Sequence, residues 1–493
     1  VLDVAAAAER HRRLDNKGGG YRGPWDFAQA PYLRRPMEAL TDPAYSLIGI
    51  MGPAQCGKTE IPNNWVLQSI LYDPASFLWC QADKSVMQRF VVEKFNAMLD
   101  LHPELRDRQL PVHGADNIFQ KLFVGCAVNF IWPVSSQFRM ASIPRVVLDD
   151  YDDMPSDIEG QGDALTLSEG RQTSFEGRSK TCVISSPNLG AKRGIEAIVA
   201  SGTDERYHVP CPHCGTRHAL DLARHLFVHH AGRYFRLADV DGDRPQLSPA
   251  DAEAGACVIL PCCNTEVEAK DKPRMLRAGV WAGPEQHVDA DGAVQGPARA
   301  TDRATFRIDG LMGFRSWAAL AKQYREAERQ YESAQTEEQL RSFWNTKAGQ
   351  NYTPRQADQQ PIDAHELAER LEPAWQLGVV PPGPGVLTAQ VDVQGNRFEV
   401  MVTGHGLAGE TWLVDRFAVL EAPGGGRLDP AKYAEHWGAL LERVIWRQYP
   451  LADGSGRTVP IFCTAIDTGG ADGVSNNATR FWHTARQAGV PPR

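Results

Sequence analysis

The stretch Gly52-Pro-Ala-Gln-Cys-Gly57-Lys58-Thr59 constrains this chain more than any other. Before it, Ser46-Leu-Ile-Gly-Ile-Met51 reads as a short buried strand, and after it Glu60 to Leu71 reads as a helix broken near its start by Pro62. Strand, glycine loop and helix in this order form a phosphate-binding loop: two glycines let backbone amides turn inward around a phosphate, the lysine reaches the β- and γ-phosphates, and the threonine hydroxyl takes a magnesium position. Gly52, Pro53, Ala54, Gln55, Cys56, Gly57, Lys58, Thr59 and Glu60 are therefore the candidate nucleotide-binding stretch, with ATP as the expected nucleotide.

A chain of 493 residues with 42% hydrophobic and 23% charged side chains has room for several cores. No run of about 18 apolar residues is present, so no membrane span is expected. Val1 to Ala8 is apolar but short and lacks a basic leader, which makes the cytoplasm the default location. The net charge of -9 argues against coating nucleic acid with the whole surface, and leaves room for a basic channel on an acidic body. Of ten cysteines, Cys56, Cys80, Cys126, Cys182 and Cys463 lie singly in or beside apolar segments as reduced core thiols do, while five cluster between Cys211 and Cys263.

Upstream of the loop, Gln29 and Tyr32 are candidates to hydrogen-bond or stack on an adenine, with packing the expected role of Tyr32. Ser76 to Cys80 reads as a second strand, Lys84 to Leu99 as a long helix whose Arg89 belongs to a solvated face, and Leu122 to Ile131 as an apolar strand. Pro144-Arg-Val-Val-Leu-Asp149-Asp150 is an apolar strand ending in two acids. An ATPase of this kind needs one acid to hold magnesium and another to polarise water, roles that fit Asp149 and Asp150. Glutamate is usual in the second role; aspartate leaves the base about an ångström short, which is expected to slow turnover. Lys180 to Pro187 is another strand, ending in Ser185 and Ser186, with Ser186 placed to report on the γ-phosphate and Arg171 a weaker phosphate-sensing candidate. Repeated strand, loop and helix predict a parallel sheet sandwiched by helices, with nucleotide at its carboxyl edge.

Farther on, Cys211-Pro-His-Cys214-Gly215 is a knuckle of the zinc type. Its second half is irregular: if Pro261 matches Pro212, Cys263 matches Cys214 and Leu260 stands where a cysteine belongs. Cys211 and Cys214 with two of Cys257, Cys262 and Cys263, or with His213 or His208, can complete a tetrahedron; otherwise this is a lapsed site that folds without metal. The set carried forward is Cys211, Cys214, Cys262 and Cys263. Trp317 to Ala334 and Leu340 to Gly349 read as helices, and Pro373 to Gly385 as a linker. Beyond it, strands beginning at Gly385, Arg397 and Glu410 stand at hairpin spacing, Tyr433 to Gln448 reads as a helix, and the strand Val459 to Ile466 ends in Asp467-Thr-Gly-Gly470. That order opens a ribonuclease-H-like nuclease, in which Asp392 and Asp467 meet to hold magnesium or manganese.

Taken together, Pro31-Tyr-Leu-Arg, the loop Gly52 to Glu60, Val146 to Asp150, Ser185-Ser-Pro, Cys211-Pro-His-Cys-Gly, Phe343-Trp-Asn-Thr-Lys-Ala-Gly349, Val391-Asp-Val-Gln and Ile466-Asp-Thr-Gly-Gly resemble the large terminase subunit of lambda-type tailed phages. The resemblance implies an ATPase that drives double-stranded DNA into a procapsid, a nuclease that cuts concatemers, and partnership with a small terminase subunit and the portal protein, in a homo-oligomer in the host cell cytoplasm. It divides the chain into an ATPase domain (1–205), a zinc-knuckle-like insertion (206–300), a helical segment completing or flanking the ATPase (301–372), a linker (373–385) and a nuclease domain (386–493). Since the family's nucleases use a later strand and carboxylate and the chain begins at Val1, a fragment with a C-terminally incomplete nuclease is expected. Two alternatives are a helicase-like or repair ATPase with an attached nuclease, and an assembly scaffold ordered by nucleotide.

Overall fold

The structure is a computed structural model that describes residues 1–15, 21–139, 142–239, 247–355, 376–407, 409–469 and 473–490. The end of the glycine-rich lead-in, the first polar insertion at 241–246, the span 356–375 that closes the helical segment and opens the linker, and Gly470 lie outside the described residues. Two compact units divide the chain, Val1–Asp358 and Gln359–Arg493.

The first unit is built on a ten-stranded sheet in the order Arg217–Ala219, Glu205–Pro210, Arg303–Arg307, Leu47–Met51, Lys180–Ser185, Arg145–Asp149, Phe77–Cys80, Cys126–Ile131 and Gln120–Phe123, with Val280–Ala282 also paired to Glu205–Pro210. Pairing is parallel from Glu205–Pro210 through Cys126–Ile131. Antiparallel strands close both edges. Leu47–Met51 is buried at every position. Because alternate side chains leave opposite faces of a strand, Ile48 and Ile50 enter one core with Trp65, Phe77 and Val147, while Leu47 and Met51 enter a second with Ile195, Ile198 and Val199. Helices therefore cover both faces, as a parallel sheet requires. Arg303–Arg307, more than 250 residues downstream, lies directly beside the phosphate-loop strand.

Three local expectations need correction. Pro62 does not break its helix, which runs unbroken from Glu60 to Tyr72, because a first-turn amide has no helical partner to lose. The apolar run Leu122 to Ile131 is a hairpin rather than one strand: Gly125, at φ +83°, turns Gln120–Phe123 back onto Cys126–Ile131. The expected helix Tyr433 to Gln448 is instead a 3-10 turn, Ala434–Gly438, a π-turn, Leu441–Ile445, and a short strand, Gln448–Pro450.

The insertion leaves the main sheet after Ala219 and forms a four-stranded antiparallel sheet of its own, Arg233–Arg236, Leu226–His230, Ala256–Ile259 and Glu266–Val267. The second unit has a five-stranded sheet in the order Thr411–Val419, Arg397–His405, Val386–Gln394, Thr458–Ile466, Gln448–Pro450. Val386–Gln394 pairs antiparallel to Arg397–His405 and parallel to Thr458–Ile466. The helix Val474–Gln487 carries Val474, Ala478, Phe481 and Ala485 into this unit's core, and the sequence did not announce it. Among the described residues no helix is long and apolar enough to cross a membrane.

Candidate nucleotide, metal and nuclease sites

The phosphate loop turns through two left-handed positions, Gln55 at φ +61° and Gly57 at φ +91°. A Cβ on Gly57 would meet Leu33 at 2.9 Å, and one on Gly52 would meet Ile308 at 2.8 Å, so packing requires both glycines and the turn requires Gly57 as well. Lys58 is nearly buried, and its ammonium donates to the carbonyls of Gly52 (2.9 Å) and Pro53 (2.6 Å) and to Ser186 Oγ (3.2 Å). Ser186 in turn donates to the Gly52 carbonyl at 3.0 Å. Thr59 precedes the helix without spending its hydroxyl on a cap.

Asp149 ends its strand buried at 4% exposure, with Oδ2 accepting from Gln81 Nε2 at 2.8 Å. Burial, then the neighbouring Asp150 charge, pushes its pKa up to about 7, against the pull of Gln81 and Lys58. Asp150 adopts a left-handed backbone (φ +57°, ψ +51°), and burial raises its pKa as well, opposed by Lys58. One lysine thus acts electrostatically on both acids. The adjacent Asp152, unassigned from sequence, accepts from the amides of Asn188 (2.8 Å), Leu189 (3.3 Å) and Ile195 (2.6 Å) and so holds the loop after Ser186 against the helix Gly194–Ser201.

That loop is tied onward. Asn345 Nδ2 donates to Asn188 Oδ1 at 3.2 Å, the Ala54 amide donates to the Thr346 carbonyl at 2.8 Å, and a Cβ on Gly349 would strike Pro53. The segment Phe343 to Gly349 therefore packs directly on the phosphate loop. Gln81 and Asn188, which follow strands, and Asn345, in the helical turn Trp344–Ala348, were missed in the sequence because single amides carry no distinctive spacing; the polar residues after the strands were the available signal for the first two.

Other candidates fare differently. Gln29 lines a cavity of about 1130 Å³ that also reaches Gln55, Gly57, Arg12 and Phe314, a volume that accommodates a nucleoside. Tyr32 is withdrawn as a stacking residue: its ring is fully buried, its hydroxyl donates to the Cys56 carbonyl at 3.0 Å, and its edge packs on Tyr207, so it buttresses the loop from behind. Glu60 is withdrawn as a phosphate neighbour, because its carboxylate pairs with Arg12 at 2.7 Å. Arg171 is withdrawn as a phosphate sensor: its carbonyl accepts from Ile143 and the next residue, Gln172, bonds Pro144 and Lys180, at the amino ends of the strands whose carboxyl ends face the loop.

Behind the loop, Asp309 accepts from the amides of Leu311 (2.8 Å) and Leu222 (3.1 Å) and from Gln350 Nε2 (2.7 Å). Burial, then the charge of Asp221, pushes its pKa up to about 7. Its folded pKa stands above the unfolded value of about 3.9, so its contribution to stability is full below that value and is lost as the pH rises through about 7. Asp309→Asn is expected to flatten the rise of melting temperature on acidification between about pH 8 and pH 5; a slope equal to that of the unaltered chain in scanning calorimetry would refute this.

The sulfurs of Cys211, Cys214, Cys262 and Cys263 all lie within 4.8 Å of one another. Two similar turns deliver them: Gly215 N donates to the Cys211 carbonyl (2.9 Å) and Asn264 N to the Leu260 carbonyl (3.0 Å), with Gly215 and Asn264 both left-handed. Leu260 holds the structural place of Cys211, and Cys262 reaches the cluster from the place that matches His213. A hydrogen bond with Thr216, then Cys263, draws the Cys214 pKa down to about 6, while Cys262 and Cys263 are pushed up to about 12 and about 11. Four thiols this close fit a tetrahedral thiolate ion such as zinc, whose sulfurs stand about 3.8 Å apart. The alternative ligands are drawn elsewhere: His213 bonds the Glu266 carbonyl (3.0 Å), His208 lies in the main sheet opposite Ala219, and Cys257 is buried opposite Phe227.

In the second unit the register Val391↔Ile466 continues through the Asp467 amide, which donates to the Val391 carbonyl at 2.9 Å. Asp392 and Asp467 thus emerge side by side from adjacent parallel strands, both exposed. Asp392 also stands opposite Glu399, a third carboxylate that the sequence showed only as part of a strand.

Comparison with known proteins gives a consistent picture. The family described as phage terminase large subunit gpA, ATPase domain, matches residues 19–281, and that described as terminase large subunit gpA, endonuclease domain, matches residues 303–492. The large terminase subunit of Escherichia phage lambda is 25% identical over 353 residues, covering 69% of this chain and 48% of that protein. That of Enterobacteria phage P21 is 23% identical over 493 residues, covering 96% and 69%. The chain thus spans about half the length of the lambda relative. The crystal structure of the HK97 bacteriophage large terminase aligns with TM-score 0.40 and 14% identity over 84% of this chain and 66% of that one.

Proposed function

Because the chain belongs to the phage terminase large subunit gpA family, we propose that it is an ATP-driven motor that moves double-stranded viral DNA into a procapsid and cuts concatemeric DNA with a metal-dependent nuclease. On this reading residues 1–205 and 301–372 form the ATPase, 206–300 the insertion and 386–493 the nuclease, joined by the linker 373–385. The observation that carries the motor is the convergence of Lys58, Ser186, Asp149 and Asp150 at the carboxyl edge of the sheet. The family matches leave the helicase-like and scaffold alternatives without support.

Lys58 moves from the carbonyls of Gly52 and Pro53 to the β- and γ-phosphates, exchanging neutral acceptors for anionic ones. Gln29 faces the base. Thr59 and Asp149 hold a magnesium ion, which when bound neutralises charge on the phosphates. Asp150 orients and polarises the attacking water, and Ser186, already bonded to Lys58, registers loss of the γ-phosphate. Asn188 and Asn345 connect that signal to the segment Phe343–Gly349. In the nuclease, Asp392 and Asp467 hold magnesium or manganese, which supplies an activated water and a charge clamp for phosphodiester cleavage. The small terminase subunit, the portal protein and further copies of the chain are the partners, in the host cell cytoplasm.

The test is displacement of a triplex-forming strand from duplex DNA by the full chain. Displacement with ATP and none with a non-hydrolysable analogue is expected; separation of the duplex strands would instead support a helicase, and no displacement would count against a motor.

The cysteine cluster is assigned to zinc as a structural ion that clamps the two turns. The purified chain is expected to carry about one zinc per molecule and to lose several degrees of melting temperature on chelation, with Cys214→Ser reproducing the loss. A chain without zinc whose melting temperature ignores chelator would contradict the assignment.

A further inference from the structure

Two cations beside the phosphate loop have no role in the reaction as described. Arg315 follows the turn Gly310 to Gly313 and donates from Nη2 to Gln55 Oε1 at 3.5 Å, while its Nε is buried without a partner. Lys347 belongs to the segment Phe343–Gly349, next to the Thr346 carbonyl that receives the Ala54 amide. The turn that leads to Arg315 packs on the backbone of Lys347: Gly310 N donates to the Ala348 carbonyl at 2.8 Å, and a Cβ on Gly310 would strike the Lys347 carbonyl. Among the described residues no carboxylate pairs with either one.

Like charges held together cost free energy, and elsewhere this chain pairs its semi-buried cations, as Arg307 with Glu196 (2.6 Å) and Arg325 with Glu328 (2.8 Å). The scaffold nevertheless holds the turn that carries Arg315 in place. Lys272, from the insertion, donates to the carbonyls of Gly313 (2.6 Å) and Arg315 (2.9 Å), and Asp309 fixes Leu311 at the start of the turn. Phe314, between those carbonyls, is exposed and lines the cavity that reaches Gln55 and Gly57. Two cations without a carboxylate partner, carried on segments that touch Ala54 and Gln55 of a phosphate-binding loop, make a site for an anion carrying more than one charge.

We propose that Arg315 and Lys347 bind the terminal phosphate of the nucleotide held by the loop. The assignment rests on the ATPase reading and deepens it: the guanidinium fork takes two phosphate oxygens, the ammonium a third, and Lys272 is a positioning residue that links the insertion to the site. ADP, lacking that phosphate, leaves the two charges facing each other, so the pair distinguishes ATP from ADP.

The test measures affinities of the full chain for ATPγS and for ADP by calorimetry, in the unaltered protein and in Arg315→Gln, Arg315→Lys and Lys347→Met, with melting temperatures alongside. Arg315→Gln and Lys347→Met are expected to weaken ATPγS by about ten-fold and ADP by less than about two-fold, and Arg315→Lys to recover part of the loss. Equal weakening of both nucleotides, or no weakening of either, would overturn the proposal while leaving the loop's role intact. Unchanged nucleotide affinities with reduced binding of a fluorescent DNA duplex would assign the cations to the DNA backbone and overturn it too. Failure of the unaltered chain to bind either nucleotide would remove the underlying ATPase reading itself.

Discussion

Replacing Lys58 by alanine is expected to lower ATP hydrolysis by about a thousand-fold or more, since charge stabilisation in a dry phosphate site commonly supplies that much. The lysine is nearly buried and bonds Gly52, Pro53 and Ser186 together, while its charge offsets the proximity of Asp149 and Asp150. Removing it takes a donor from the Pro53 carbonyl and from Ser186 and leaves the Gly52 carbonyl with Ser186 alone, so some loss of melting temperature accompanies the loss of rate. Lys58→Arg separates the two effects: charge is kept and most stability with it, but the planar guanidinium does not fit the small cradle made by the Gly52 and Pro53 carbonyls and Ser186 Oγ. Phosphate release under single-turnover conditions is the measurement. Hydrolysis within a few-fold of the unaltered rate in Lys58→Ala would show that the loop is not the catalytic phosphate site.

The second large effect concerns the other unit. Asp392→Asn and Asp467→Asn are each expected to reduce cutting of duplex DNA by about a thousand-fold with magnesium or manganese present, and the double variant to be hardly worse than either alone, because the two acids act on the same ion or ion pair. Their positions on adjacent parallel strands bring them side by side, as the proposed shared metal site needs. ATP hydrolysis in these variants should be unchanged, since the two acids belong to a different compact unit from the phosphate loop. Cleavage of plasmid DNA on a gel, read beside phosphate release, checks both halves. Cutting that survives in one variant and vanishes in the other would mean that the aspartates do not share a site.

The sequence disclosed what rests on local chemistry. The phosphate loop, the paired acids after Leu148 and the hydroxyls after Ile184 carry short-range patterns, and the structure brings Lys58, Ser186, Asp149 and Asp150 together. The strand Val386–Gln394 and its partners were equally readable, because alternation with tight turns fixes register. Long-range placement was hidden. Nothing local says that Arg303–Arg307 lies beside Leu47–Met51, or that Phe343–Gly349 folds back onto Pro53 and Ala54. Arg171 was misjudged for the same reason: closeness in sequence to the strand Lys180–Ser185 does not reveal which end of that strand a helix reaches. Tyr32 and Glu60 were candidates by position alone, and a buried ring and an ion pair with Arg12 decided against them. In the cysteine cluster the count of thiols was legible, but only the turn through Leu260 and Asn264 accounts for adjacent cysteines meeting the same partners.

The central claim is that breakdown of a triphosphate between Lys58 and the acids moves a duplex. The most direct measurement is the ATP consumed by the chain, assembled with procapsids and the proposed small terminase subunit, as the length of the supplied DNA is varied. Consumption that rises in proportion to the length taken up, and stops in Lys58→Ala, is the expected result. A fixed quantity of ATP per capsid, whatever the length of DNA, would contradict it.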